Sequence, residues 1–186
     1  MFSVSTMLPP NSYDDNWKPS SRIRLAEHLC NVSHFLRGLR VKMRFGELTR
    51  APISLLRLKI VGEVVNCDWL ARSADPWDQD LSSKVRERHL ALQTLRDAID
   101  VRALLFDAVP QAETANFRVY RDSSSDTREL IIKGCSQRND NSSRSLRSLS
   151  MRAKILGFRF DLNDGALLKL GADESKPQAD PPDRHD

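Results

Sequence analysis

The sequence has little of what chemistry at a defined site usually requires. Only 7 of its 186 residues are glycine, too few to cradle a phosphate beyond those needed at turns and helix ends. No G-x-G-x-x-G or G-x-x-x-x-G-K-[ST] run occurs, and G-x-S-x-G and H-E-x-x-H are missing too. The three cysteines, Cys30, Cys67 and Cys135, are odd in number and widely spaced. That excludes a disulfide framework and any C-x-x-C pair for zinc or redox work. Reduced, half-buried thiols in a cytoplasmic protein are the expectation. No apolar run approaches the ~20 residues of a membrane span. Met1 to Met7 is too short for a secretory signal, and Pro9–Pro10 and Asp14–Asp15 interrupt it. Asp14, Asp15 and Glu27 argue against reading the Arg-rich residues 22–44 as a transit peptide.

These absences leave an enzyme uncertain, and the reading leans against one. They imply no cofactor, no metal and no small-molecule ligand. The positive features are ordinary for a globular chain: 40% apolar and 29% charged residues, with a net charge of +4. Mean hydropathy is −0.48 and the isoelectric point is about 9.1. Mild basicity permits an anionic partner without demanding one.

Periodicity divides the chain. Residues 1–21 are rich in Ser, Pro and Asn and read as a disordered tail, as do the Pro-rich, acidic residues 171–186. Leu25, Leu29, Val32, Leu36 and Leu39 recur at helical spacing, predicting a helix over 22–37 capped by Gly38. From Leu39 to Phe45 the period becomes two, so 39–45 is ambiguous. Residues 22–42 read as a basic amphipathic extension and 43–170 as one domain. The core pattern begins near Met43, which makes Met43 a candidate initiator that intact mass would test.

Residues 53–61 and 64–70 are β-rich around Gly62–Glu63, a hairpin signal. Asp75–Pro76 reads as a helix cap before a long helical pattern over about 78–107. Residues 116–121 and 128–135 form a second strand pair. Leu146, Leu149, Ala153 and Leu156 mark a short helix ending at Gly157. FRFDL and ALLKL flank Asn163–Asp164–Gly165, a strong hairpin signal. The fold class is therefore α+β: a mainly antiparallel sheet built from hairpins, with helices on one face. Residues 92–170, in the order α-β-β-α-β-β, resemble the small BON domains in pattern. The points of likeness are a strand ending at Gly134 and a helix ending at Gly157. The resemblance implies a fold of that kind and carries no function across.

Residues 138–159 hold the most conspicuous charge. On a helix Arg144, Arg147, Met151 and Lys154 share one face, opposite Leu146, Leu149, Ala153 and Leu156. Arg152 adds to this charge, and Arg40 and Lys42 belong to a second basic region over 22–50. Such a stripe can contact phosphates, although any surface helix is also charged outside. Asp75, Asp78 and Asp80 read as helix-start residues, with Trp77 among them for packing or binding. His28, Cys30 and His34 do not all share a face, which counts against zinc.

The first expectation for function is an uncharacterised non-catalytic interaction module, acting through a protein partner or self-association. The alternative is an accessory nucleic-acid binder using Arg144, Arg147, Arg152 and Lys154 with Arg40 and Lys42. An enzyme built around Asp75, Asp78 and His89 stands third. A membrane-surface partner is not expected.

Overall fold

The computed structural model describes residues 19–123, 127–139 and 146–171. The chain is α+β. In order it forms α1 (Pro19–Lys42), β1 (Ser54–Val61), β2 (Val64–Leu70), a 3-10 turn (Pro76–Asp80), α2 (Ser83–Ala108), β3 (Thr114–Asp122) and β4 (Arg128–Gln137). Then follow α3 (Leu149–Ile155), β5 (Phe158–Arg159), β6 (Leu162–Asn163) and β7 (Ala166–Leu167). Five strands make one sheet in the order β1-β2-β3-β4-β5, while β6 and β7 form a separate hairpin.

The β1–β2 hairpin turns at Gly62, whose φ is +57°, as the Gly62–Glu63 signal predicts. The sheet is mainly antiparallel, but β2 and β3 run parallel, from Val64 opposite Thr114 to Leu70 opposite Tyr120. The long helix causes this. At 1.5 Å per residue, the 26 residues of α2 carry the chain back to the end of the sheet where β2 began. A hairpin could not make that return. Gly134, expected at a strand end, lies inside β4.

All three helices serve one face of the sheet. Leu95, Ala98, Val101 and Leu105 of α2 pack over Val65, Cys67, Trp69, Phe117, Val119 and Ile132. Trp69 and Phe117 meet edge-on at 5.9 Å, and Phe117 meets Phe158 at 5.4 Å. Helix α1 runs to Lys42, so Gly38 does not end it. A Cβ at Gly38 would lie 2.4 Å from Leu104 Cδ1. The glycine is a close-approach point between α1 and α2. Phe35 is fully buried in the common core, so α1 meets the rest of the fold there.

Asp75 precedes Pro76 as expected but makes no cap bond. Its carboxylate accepts the Arg50 backbone N–H at 3.1 Å. A buried arginine ties the same region down. Arg72 donates to Asp97 Oδ2 at 2.8 Å and to the carbonyls of Ala51 and Met43 at 2.6 Å each. Gln93 donates to the other Asp97 oxygen at 3.0 Å. This cluster clamps residues 43–51 against the end of β2 and the middle of α2.

Candidate functional site

Strand alternation sends every second side chain of the sheet away from the helices. On that face, register places Arg57, Asp68, Arg118, Lys133 and Arg159 in one row across all five strands. The next row holds Lys59, Asn66, Asn116 and Cys135. Five cations stand against one carboxylate, five minus one, or +4.

Asp68 is nearly buried and accepts from Arg118 Nε at 3.2 Å. Its charge is therefore drawn into the sheet rather than spread over the surface. Asn116 donates to Asn66 across the parallel ladder at 3.2 Å. Arg57, Lys59 and Arg159 are exposed, and among the described residues no carboxylate lies within ion-pair reach of them. Lys154 of α3 rims the same face, with its ammonium 5.6 Å from the Phe160 ring centroid. A shallow groove of about 730 Å³ runs along Asn66, Asn116, Arg118, Lys133, Lys154 and Arg159.

The described part of the sequence-predicted stripe is divided, with Lys154 on α3 and Arg147 before it. Helix α3 starts only at Leu149, because the Ser148 side chain takes the Met151 N–H as an N-cap. Arg147 lies before the helix, so it shares no helical face with Lys154. Arg144 lies outside the described residues. Arg152 is half-buried, with no hydrogen-bond partner for its Nε, and sits close enough to Asp100 to pull on its carboxyl.

Arg138, counted with the same basic segment, is used as a cap. It donates to the carbonyls of Ala112, Phe106 and Val109 at 2.8, 2.8 and 2.6 Å, beyond and at the C-terminus of α2. Arg40 and Lys42 belong to α1, which packs on α2 and thus on the helix side of the sheet. Lys42 pairs there with Asp107 at 4.0 Å. Of the predicted cations among the described residues, only Lys154 lines the groove on the open face.

Sequence reasoning does not single out Arg57, Lys59, Arg118 or Lys133, and counts Arg159 only with the charge of residues 138–159. Their signal is present as cations at strand period, most clearly Arg57-x-Lys59. What makes them one surface is the register between strands, and the β2–β3 register depends on the α2 crossover.

A second surface lies on α1. The leucine spacing predicts a packed face, but Leu25 and Leu29 are exposed at 54% and 61%, and Val41 is exposed too. Phe35 and Gly38 make the helix contact instead. A groove of about 420 Å³ follows Leu29, Val32, Leu36 and Val41, with Arg37 and Arg40 beside it.

A cavity of about 440 Å³ opens near the C-terminal ends of β2 and β3, lined by Leu70, Leu90, Ala91, Ile131 and Leu167, with Arg121 among its polar groups. Arg121 is held by Glu129 at 2.8 Å and by the Leu167 carbonyl. The Thr94 hydroxyl, which also borders it, donates to the Leu90 carbonyl. Asp75, Asp78 and His89 do not line it. Among the described residues, no three His, Cys, Asp or Glu side chains are grouped to hold a metal, and no helix is long and apolar enough to cross a membrane. Burial pushes the Cys67 thiol far up, with Asp68 adding to the effect, whereas Cys30 and Cys135 are exposed. Trp77 is also exposed. No family model, curated protein or solved structure matches the chain.

Proposed function

We propose that the protein is a non-catalytic binding module whose open sheet face holds the backbone of a single-stranded nucleic acid. One observation carries the reading: the row Arg57, Arg118, Lys133 and Arg159 across the sheet. Strands are ~4.8 Å apart, so the row extends about 19 Å, enough for a few nucleotides lying across the strands. A single line of cations suits one phosphate backbone. On either side of the two polar rows, Val61 and Val64 at one end and Leu70 and Tyr120 at the other offer apolar surface to bases. Stacking on a single tyrosine gives little base selectivity, and most of the affinity comes from counterion release.

The test is anisotropy of labelled 12-mer RNA and DNA strands across a salt series. The variant Arg57→Ala/Lys59→Ala/Arg159→Ala removes exposed cations that make no ion pair among the described residues. With a slope near −0.7 per phosphate contact for single strands, five cations give about −3.5 and two remaining ones about −1.4. Equal binding by both proteins, or none at low salt, sinks the reading. Arg40→Ala/Arg147→Ala is the control and leaves affinity unchanged.

A second reading rests on the α1 leucines and keeps the module a protein binder. The seam is flanked by Arg24, Arg37 and Arg40, which suits an amphipathic helix with acidic flanks. A Leu/Glu model peptide in the same titration separates the two. Binding of the peptide without binding of either strand moves the function to α1, and a dimer mass instead moves it to self-association.

A further inference from the structure

The last described residues bring the chain to the basic face. Leu170 donates its N–H to the Leu130 carbonyl of β4 at 2.8 Å. Gly171 and Leu170 line a groove of about 610 Å³ together with Lys133, Lys154, Arg159 and one acid, Asp161. The next fifteen residues, 172–186, carry Asp173, Glu174, Asp180, Asp183 and Asp186 against Lys176 and Arg184. Two minus five leaves −3. An acidic segment therefore leaves the described structure beside three of the cations that face outward.

We propose that residues 172–186 dock on the sheet face and compete there with the nucleic acid, an inference that rests on the reading above. Reach is ample. At ~3.3–3.6 Å per residue, Asp173 and Glu174 come within about 10 Å of Gly171, and the whole segment can extend about 50 Å. The cation row is only about 19 Å wide. Tethering also makes weak contacts effective, because a short linker holds the competitor at millimolar effective concentration. The competition is ionic, so salt weakens the tail and the ligand together. The tail raises the apparent Kd by a fixed factor, so a long polyanion displaces it at lower concentration than a short or sparsely charged anion does.

The test uses the full chain and a variant neutral at Asp173→Asn, Glu174→Gln, Asp180→Asn, Asp183→Asn and Asp186→Asn. The first readout needs no nucleic acid. Cys135 lies on the sheet face, exposed, with exposed Cys30 as an internal reference and buried Cys67 as a report on folding. Docking predicts alkylation of Cys135 by a small maleimide about two- to tenfold faster in the neutral variant, with Cys30 unchanged and Cys67 silent. The second readout is 12-mer affinity, which should tighten by a similar factor in low salt. Equal Cys135 rates and equal affinities overturn the proposal. If neither protein binds the 12-mer, the nucleic-acid reading falls, and the Cys135 rates still decide whether the segment docks.

Discussion

Removing the Arg72 guanidinium should be among the most damaging single changes in this fold. The Arg72 and Asp97 side chains are 1% and 4% exposed, so neither charge can turn to water. Arg72→Leu leaves a buried carboxylate without its partner, which costs about 3–5 kcal/mol. The carbonyls of Met43 and Ala51 lose their donor in the same step. Burial already pushes the Asp97 carboxyl above the ordinary range, against the pull of Arg72 and Gln93. The charge is thus costly even when paired, and removing both partners should be far milder. Urea unfolding at pH 7 reads the effect. For a slope near 2 kcal/mol/M, a loss of about 4 kcal/mol lowers the midpoint by about 2 M. Arg72→Leu/Asp97→Leu should recover at least half of that shift. A single-variant loss under about 1 kcal/mol, or a double variant as weak as the single, would refute the clamp.

Two further outcomes test other parts of the account. Gly157 has φ +88°, and a Cβ there would sit 2.0 Å from the Cys135 carbonyl oxygen; Gly157→Ala should therefore destabilise by at least about 2 kcal/mol, and an unchanged urea midpoint would contradict this. The Asp100 carboxyl is pushed up by burial and then by Asp97, with Arg152 pulling the other way. Its charged form is disfavoured on folding, so Asp100→Asn should stabilise at pH 7. The gain should fade as pH falls through the raised folded value towards the ordinary carboxylate range, where both states are neutral; a loss of stability at pH 7 would reverse the reasoning.

Local signals carried most of the elements. Gly62–Glu63 and Asp164–Gly165 turn where the sequence says, because a positive φ is a property of the residue itself. Helix α3 is shorter than its apolar spacing predicts because the Ser148 side chain takes the Met151 N–H, which a longer helix would bond to the Arg147 carbonyl. Gly38 misled for a different reason. Glycine permits a chain end or a tight crossing equally well, and only Leu104, 66 positions away, decides between them. The basic face was the least legible feature. Charge along a segment is visible in sequence, but its use is not. Arg138 and Arg72 are spent on buried carbonyls, while scattered cations such as Arg57 and Arg159 become neighbours through pairing that no local pattern encodes.

Strand β1 ends the sheet, with β2 as its sole hydrogen-bonded neighbour strand among the described residues. Its other side presents backbone groups that another chain's strand could join. A bulge at Leu56, where the register with β2 slips, and the adjacent Arg57 and Lys59 make that edge irregular and charged. Both features discourage edge-to-edge growth of the sheet. Arg57 and Lys59, proposed above to hold a polyanion, thus also make β1 a poor edge for a second sheet to join.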